Sequence, residues 1–418
     1  MVELYRETGE DQYLRLASQF VEQRGHGLIG DSGFGSRYLQ DHLPVREANT
    51  LSGHAVRALY LEAGVVDLAT ETGDVELLAG SAVRWDDMAS AKTCLTGSVG
   101  SRHSGESFGD RFELPPDRAY NETWASIASF QWSWRLLLAT GDSKYADLME
   151  RVLYNGFAAA ISTEGDRFFY VNPLQRRADH YEGDEPARRR RWYSCACCPP
   201  NIMRTLASLE HYLAAVSGDI LHLHHFTGAQ VSTSLAKGIL ALDMVTGYPW
   251  SGTVTLRVTA APLAQCGLAI RVPGWSSSPK FLLNDTPVAG TVRHGYVIIR
   301  AGGNPVTRAR AGLRRAEGLS PHQRWLVTWP PVTLTWPPGV SWSAQRVYLP
   351  SASPSYTAAY LVPLGPGRAR TAACVRGAPG VSGLISISAP SRAAGVYKTS
   401  APVPAPMSSS TVPALVGP

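Results

Sequence analysis

A recurring phrase of helix, Thr-Gly-Asp/Glu and helix is the feature that most restricts the fold of this chain. Three copies centre on Thr8, Thr72 and Thr140 and are separated by 64 and 68 residues. In each copy, apolar residues recur with helical periodicity on both sides of a glycine, and an acidic residue follows that glycine. Helical hairpins at such a spacing indicate a stacked or closed α/α array rather than one bundle.

We expect this helical region to cover residues 1–218 and to form part of an (α/α)6 barrel. A further helix is predicted from about Asn201 to Val216, before a Ser-Gly-Asp turn. The first hairpin is predicted to lack its leading helix, and the hairpins are too few to close a toroid. The chain is therefore expected to begin inside a helical domain.

Residues 219–300 change to short β-branched runs separated by Gly, Pro and Asn-Asp turns, which predicts a β-sandwich. The runs are ILHLHHF, AQVSTSL, GTVTLRVTA, CGLAIRVPGW, KFLLNDTPV and YVIIR. Asn284 and Asp285 are expected to form a hairpin tip.

Residues 301–418 have a third composition. They contain one acidic residue, Glu317, of the 34 in the chain and 17 of its 29 prolines, and they follow neither periodicity. A folded domain rarely lacks acids so completely. We therefore expect a tail that is disordered or translated from a shifted reading frame, and assign no function to it.

The overall composition excludes several classes of protein. With 418 residues, 44% of them hydrophobic, the chain can bury a large core, and its net charge of +5 is small for that length. The basic run 188–191 lacks interleaved aromatic residues, which favours a solvated loop over a nucleic-acid surface. The absence of a long apolar run excludes a membrane span, and few cysteines without a leader favour the cytoplasm. A homodimer is compatible with the sequence.

Three cysteines form the clearest chemical motif. Cys195, Cys197 and Cys198 lie within four residues in a chain with only six cysteines. Thiolates this close repel one another unless a soft cation shares their charge, which predicts Zn²⁺ as a cofactor. A labile redox site and unbound structural thiols are the alternatives. A disulfide within the cluster would be strained, because Cys197 and Cys198 are adjacent and a Cys195–Cys197 bridge closes a very small ring.

Two glutamates are candidates for acid–base chemistry or metal binding. Glu106 lies in a loop rich in Gly and Ser, and Glu122 opens the apolar helix predicted over 122–138. A single glutamate at either place is usually a helix cap or a solvated side chain. In an α/α toroid, however, the loops of one rim meet around one cavity, so both glutamates can meet the Cys-Cys-Pro-Pro-Asn segment there.

The motifs around these residues resemble glycoside hydrolase family 127, the β-L-arabinofuranosidase-like enzymes, over roughly residues 1–300. The matching phrases are GHAVRALYL with His54, HSGESFGDRFELPPDRAYNET with Glu106 and Glu122, RFFYVNPL with Tyr170, and CCPPN with Cys197 and Cys198. The resemblance implies a retaining glycoside hydrolase that acts on β-L-arabinofuranosides or related glycosides. It also implies that the N-terminal part of the family's domain, with further substrate-binding histidines, is missing here.

The resemblance assigns a role to each catalytic candidate. It implies that Glu106 is the general acid/base and that Cys197 is the nucleophile. His54 and Tyr170 would bind the hydroxyl groups of the sugar substrate. A retaining glycosidase needs such a pair, a group that protonates the leaving oxygen and a nucleophile that traps the sugar.

The resemblance also implies a zinc site held by Glu122, Cys197 and Cys198. The family's remaining ligand is a cysteine at the position of Trp124, and an indole cannot bind Zn²⁺. Cys195 is the candidate for the fourth ligand. Two other functions stay open, a catalytically degenerate carbohydrate-binding relative and a structural zinc protein in which the cysteines only join parts of the barrel rim.

Overall fold

The computed structural model of the protein describes residues 1–30, 33–175, 188–262, 266–288 and 292–301, together with the backbone of three short strands beyond them. The prediction for the tail of residues 301–418 concerns residues that, apart from those strands, lie outside this description.

Seven α-helices precede the first strand in the described part of the chain. They are α1 (Val2–Thr8), α2 (Asp11–Gln23), α3 (Ala55–Thr72), α4 (Val75–Ala91), α5 (Thr123–Thr140), α6 (Ser143–Arg151) and α7 (Cys198–Ala207). A π-helical segment follows α6 at Val152–Phe157, and short 3-10 turns lie at Ser36–Leu39, Ser104–Glu106, Ala158–Ala160 and Leu209–Tyr212. None of the described helices has the length and apolarity needed to cross a bilayer.

The three predicted hairpins are confirmed as α1–α2, α3–α4 and α5–α6. Gly73 and Gly141 end α3 and α5 with φ of 71° and 73°, a left-handed conformation that glycine adopts without strain. Asp74 then caps α4 by accepting a hydrogen bond from the backbone N–H of Leu77, and Asp142 caps α6 in a similar way. The prediction that the first hairpin lacks a leading helix is wrong, because α1 is present as a helix of 7 residues.

The predicted helix from Asn201 to Val216 is too long. The α-helix ends at Ala207, and Ala214–Ser217 form the strand β1. This strand pairs antiparallel with the next one, from Ala214 opposite Leu223 to Ser217 opposite Ile220. Pairing with a neighbouring strand satisfies the backbone of this apolar segment, and helical periodicity read along the sequence cannot reveal such a partner.

The second half of the described chain is built of β-strands. They are β1 (Ala214–Ser217), β2 (Ile220–Leu223), β3 (Ala229–Leu235), β4 (Gly238–Thr246), β5 (Thr253–Ala260), β6 (Cys266–Arg271), β7 (Lys280–Leu283), β8 (Thr286–Pro287), β9 (Val292–Arg293), β10 (Tyr296–Ala301), β11 (Ala309–Gly312), β12 (Ala358–Leu364) and β13 (Arg368–Cys374). The predicted hairpin tip is confirmed, since Asn284 and Asp285 have φ of 49° and 62° between β7 and β8. The strand β4 was not predicted.

The strands form a five-stranded sheet in the order β1-β2-β6-β10-β9 and a six-stranded sheet in the order β3-β4-β5-β11-β7-β8, while β12 and β13 pair with each other. β2 and β6 run parallel, and the other described pairs are antiparallel. One hydrophobic core joins the two larger sheets and includes Leu223, Val231, Leu242, Leu256, Ile270 and Val297.

The helices pack directly against the five-stranded sheet. The helical core, which contains Leu59 and Trp132, also includes Ala269 of β6 and Tyr296 of β10. Arg271, at the end of β6, is fully buried and forms ion pairs with Asp147 and Glu150 of α6. The burial of these charges is tolerated because each is paired across the contact between helix and sheet.

Candidate active site

Three of the predicted site residues lie where a helix begins. His54 precedes α3, Glu122 precedes α5, and Cys197 precedes α7. The N-terminus of a helix has backbone N–H groups without helical partners and a partial positive charge, and both favour an anion. The fold therefore brings together helix ends that suit carboxylate or thiolate chemistry.

Glu106 and Asn121 hold an unusual backbone conformation. Their φ values of 49° and 45° are left-handed, which is uncommon for residues other than glycine. The strain is held by backbone hydrogen bonds, from the N–H of Glu106 to the carbonyl of His103 at 3.0 Å and from the N–H of Asn121 to the carbonyl of Gly100 at 2.8 Å. Strained backbone of this kind often marks a functional site, and here it fixes the segments that carry both candidate glutamates.

Glu106 is bound by two side chains. His54 Nε2 lies 3.2 Å from its Oε2, and the Tyr120 hydroxyl donates a hydrogen bond of 2.7 Å to its Oε1. The hydrogen bond with His54, followed by that of Tyr120, lowers the pKa of Glu106 despite its partial burial. Burial, and then the contact with Glu106, raise the pKa of Tyr120. Glu106 is therefore an ionised proton acceptor, and Tyr120 remains a protonated donor.

Glu122 has the opposite electrostatic environment. It is 2% exposed, and its Oε1 lies 3.5 Å from the sulfur of Cys198. Its Oε2 is buried and accepts no hydrogen bond of normal length from the described residues. A weaker interaction with the Tyr170 side chain favours the ionised form of Glu122. Burial, followed by the negative charge of Glu106, raises the pKa of Glu122 to about 8. Without a nearby cation, Glu122 is therefore mostly protonated at neutral pH.

The three clustered cysteines are free thiols that differ in burial. Cys195 is exposed, Cys197 is half-buried, and Cys198 is completely buried. The sulfur atoms of Cys195 and Cys197 are 2.8 Å apart. Burial, and then the contact with Cys195, raise the pKa of Cys197, while burial and the charge of Glu122 raise that of Cys198. Additional positive charge is therefore needed to ionise these two thiols at neutral pH.

Tyr170 connects the carboxylates with the cysteines. Its pKa is raised by burial, then by the charges of Glu122 and Glu106, and further by Cys197 and Cys198. Its backbone carbonyl accepts a hydrogen bond of 3.0 Å from the first residue of α5. Tyr170 therefore lies within electrostatic reach of both carboxyl groups and both cysteines, and His54 joins this group through Glu106.

The only polar group of the Trp124 side chain, its indole N–H, is hydrogen-bonded to a residue other than the cysteines. The indole N–H donates a hydrogen bond of 3.0 Å to the hydroxyl of Tyr60. The backbone N–H of Trp124 favours the ionised form of Cys198. Among the described residues, no three side chains of His, Cys, Asp or Glu are grouped closely enough to hold a metal ion.

The sequence did not identify Tyr120 as a site residue. It lies two residues before Glu122 in the phrase Ala-Tyr-Asn-Glu-Thr. Its position in the same motif as a candidate carboxylate could have indicated that it belongs to the site. Asn201 was also missed, although its amide donates a hydrogen bond of 2.8 Å to the carbonyl of Cys197 and so stabilises the start of α7.

Comparison with known proteins gives consistent matches. The family model described as β-L-arabinofuranosidase, GH127 catalytic domain, matches residues 1–211, and the model described as β-L-arabinofuranosidase, GH127 middle domain, matches residues 220–306. A curated non-reducing end β-L-arabinofuranosidase of Bifidobacterium longum subsp. longum is 32% identical over 330 residues, which cover 72% of this chain and 50% of the relative.

Solved structures are similar over a comparable share of the chain. A GH127 β-L-arabinofuranosidase from Geobacillus stearothermophilus T6 has a TM-score of 0.70 and 36% identity, covering 77% of this chain and 54% of that protein. Another GH127 β-arabinofuranosidase has a TM-score of 0.68 and 33% identity, covering 75% of this chain and 50% of that protein. The chain thus spans about half the length of these relatives.

Proposed function

Because the chain belongs to glycoside hydrolase family 127, we propose that it hydrolyses β-L-arabinofuranosides, or related glycosides, with retention of configuration. The observation that carries the proposal is a carboxylate, Glu106, held by His54 and Tyr120 in the same site as the cysteines that open α7. In this proposal the helices are part of an (α/α)6 barrel and the two larger sheets form a β-sandwich. The domain limits 1–218 and 219–300 stay predictions.

In the first proposed step, Cys197 reacts as the thiolate, which attacks the anomeric carbon and forms a carbon–sulfur bond. The bond to the leaving oxygen breaks, and Glu106 delivers its proton to that oxygen. Glu106 must therefore be protonated when substrate is bound. A sugar that covers the half-exposed carboxyl removes water from it and competes for His54, and both effects raise the pKa of Glu106.

In the second proposed step, Glu106 accepts a proton from a water molecule that attacks the anomeric carbon. The carbon–sulfur bond breaks and releases Cys197. Two successive inversions at the same carbon give net retention. The lowered pKa of Glu106 in the free site favours its action as a base in this step.

We also propose that Glu122, Cys197 and Cys198 bind Zn²⁺, with Cys195 as the fourth ligand in place of the cysteine that the family has at the position of Trp124. The buried Glu122 Oε2, without a partner of normal length and on the carboxyl that faces the sulfur of Cys198, supports a cation here. Binding would need the four side chains to move closer together, because no three of the described side chains are grouped closely enough to hold a metal. When bound, Zn²⁺ would favour the thiolate form of its cysteine ligands.

His54 and Tyr170 are proposed to bind hydroxyl groups of the sugar. His54 Nδ1 is buried without a partner among the described residues, so it is available for a bound hydroxyl. A cytoplasmic location and a homodimer stay predictions from the sequence.

Glu106→Gln tests the proposed function and its alternatives. We expect this variant to lose hydrolysis of an aryl β-L-arabinofuranoside by about 10²–10⁴-fold, because amide cannot transfer the proton. Arabinose binding by calorimetry and zinc content should be unchanged. The matched control is Glu76→Gln, the same change at an exposed glutamate outside the site.

The alternatives give different results in this experiment. A carbohydrate-binding relative, which the presence of Trp124 favours, would bind sugar without hydrolysis in the unmodified chain. A structural zinc protein would do neither. Hydrolysis by Glu106→Gln at the unmodified rate would exclude Glu106 as the acid/base.

A further inference from the structure

We propose that Phe34 and Tyr38 form an aromatic platform that binds the leaving group of the glycoside, and that this leaving group is a second sugar ring. The inference rests on the proposed hydrolysis and adds to it two residues that determine which leaving groups the site accepts. Neither residue belongs to the motifs from which the site was predicted.

The platform consists of two stacked rings at the surface. The ring centroids of Phe34 and Tyr38 are 4.7 Å apart, and their planes differ by 28°. Tyr38 lies in the 3-10 turn Ser36–Leu39, and Phe34 precedes that turn. Phe34 is 56% exposed, and Tyr38 is partly exposed. The pair therefore presents aromatic surface to solvent, on which another ring can stack.

A single exposed phenylalanine is ordinary, but this one packs beside the proposed acid/base. A Cβ added to Gly105, which directly precedes Glu106, would lie 3.4 Å from Cδ1 of Phe34 and 3.0 Å from Cε2 of Tyr38. Both rings therefore lie against the backbone of the loop that carries the carboxylate. Gly105 allows this close approach because it has no side chain.

A second contact joins the platform to the residue that holds Glu106. The Tyr38 ring meets the ring of His54 edge-on, with centroids 5.6 Å apart, and the Tyr38 carbonyl accepts a hydrogen bond of 3.0 Å from the backbone N–H of His54. His54 Nε2 in turn lies 3.2 Å from Glu106 Oε2. Tyr38 is thus fixed relative to the carboxylate through both its ring and its backbone, as a side chain that sets specificity must be.

The two oxygens of Glu106 face different aromatic groups. Tyr120 binds Oε1 and packs edge-on against Tyr170, whose side chain interacts with that of Cys197. His54 binds Oε2 and packs against the platform. In the proposed mechanism the transferred sugar lies beside Cys197, whereas the leaving oxygen lies beside Glu106. The leaving group therefore extends beyond Glu106 on the side of His54, where the platform lies.

The chemistry of the platform fits a sugar better than an alkyl group. A sugar ring has a face of C–H groups that can stack on an aromatic ring, and hydroxyl groups at its edge that need polar partners. Arg57 supplies such a partner, because it is exposed, its guanidinium carbon lies 5.2 Å from the centroid of the Tyr38 ring, and it carries several N–H donors. An alkyl leaving group has neither a ring face nor hydroxyls. The platform therefore selects glycosides that are linked to a second sugar.

The test compares two substrates of the full chain, a β-L-arabinofuranosyl disaccharide and methyl β-L-arabinofuranoside. In Phe34→Ala, the ratio of kcat/KM for the disaccharide to kcat/KM for the methyl glycoside should fall about threefold to tenfold, because only the disaccharide loses a stacked ring. Phe34→Tyr should keep the ratio, since it keeps the ring. Phe20→Ala is the matched control, because Phe20 lies on α2 and is exposed to the same extent as Phe34. Its ratio should not change.

Binding measurements separate the platform from hydrolysis. In calorimetry with Glu106→Gln, the affinity for the disaccharide should exceed the affinity for the methyl glycoside. Adding Phe34→Ala to that variant should reduce the difference about threefold to tenfold. A chain that binds the two glycosides in this way without hydrolysing either would refute the proposed function and keep the platform.

Three results would overturn the platform: an unchanged ratio in Phe34→Ala, an equal fall in Phe20→Ala, or equal affinity of Glu106→Gln for the two glycosides. A fall for phenyl β-L-arabinofuranoside but not for the disaccharide would also overturn it, because the leaving group would then be aromatic rather than a sugar. Where Phe34→Ala fails to fold, Phe34→Leu gives the same decision, since it keeps an apolar contact with Gly105 but lacks the flat ring.

Discussion

Replacing Tyr120 with phenylalanine should destabilise the ionised form of Glu106 and so raise its pKa. The change removes a hydroxyl that donates a hydrogen bond of 2.7 Å to Glu106 Oε1, while His54 continues to act on the other oxygen. A hydrogen bond to a charged group contributes about 1.5–3 kcal/mol. The Glu106 side chain is 33% exposed, so solvent screening favours the lower end of that range. The ionised carboxylate should therefore lose about 1.5 kcal/mol of stabilisation.

The assay is a carbon-13 NMR titration of glutamate carboxyl groups, with the Glu106 signal assigned by its loss in Glu106→Gln. Tyr60→Phe is the matched control, because it removes a partly buried hydroxyl that is hydrogen-bonded to Trp124 and not to a carboxylate. The Glu106 titration should move in Tyr120→Phe and stay in place in Tyr60→Phe. An unchanged Glu106 pKa in Tyr120→Phe would refute the argument that this hydrogen bond holds the carboxylate ionised.

The same shift predicts how stability depends on pH. A carboxyl whose pKa is lower in the folded than in the unfolded state stabilises the fold at pH values above the unfolded pKa, and this stabilisation is lost as the pH falls through the folded pKa. At neutral pH, Tyr120→Phe should therefore lower the free energy of unfolding, because the ionised Glu106 loses a hydrogen bond. In acid, where Glu106 is protonated in both proteins, the part of this difference that depends on the charge of Glu106 should disappear.

Three further predictions concern the metal and the scaffold. Zinc analysis of the purified chain should find about one equivalent, and Cys198→Ser should remove most of it; a folded, metal-free chain would contradict the zinc proposal. Arg271→Met should destabilise the fold by about 3–5 kcal/mol in urea unfolding, because Asp147 and Glu150 are left without their buried partner; a loss below about 1 kcal/mol would show that these charges are solvated. Gly141→Ala should lower the thermal midpoint through a cost of about 1–2 kcal/mol for a left-handed residue, and an unchanged midpoint would show that the end of α5 rearranges freely.

The helical hairpins and most strands could be predicted because their signals are local. Gly73 ends α3 and Asp74 starts α4 through local backbone conformation and capping, which do not depend on distant residues. In the same way, the turn at Asn284 and Asp285 sets the pairing of β7 with β8. The strand β4 was harder to find, because the apolar residues Ile239 and Val245 on its exposed side hide the alternation of its buried residues Leu240, Leu242 and Met244.

The contacts of the site could not be predicted in the same way. The family resemblance pointed to Glu106 and Cys197 as catalytic residues. In the structure, Glu106 is held by His54, which lies 52 residues away in the sequence, and by Tyr120, which was not among the predicted site residues. Trp124 meets Tyr60 across 64 residues. Such pairs depend on how separate hairpins pack, which is information that neither periodicity nor residue spacing contains.

The placement of site residues at the starts of three helices has a consequence for folding. His54, Glu122 and Cys197 are separated by 68 and 75 residues, so bringing them together closes two long loops of chain. The entropy of closing such loops must be overcome before the contacts between the helices can compensate it, which makes non-local structure slow to form. The hairpins α3–α4 and α5–α6 can form by themselves through their own caps, whereas the site exists only once both have docked with α7. Loosening of either hairpin or of α7 would therefore abolish the site while leaving most of the helical content intact.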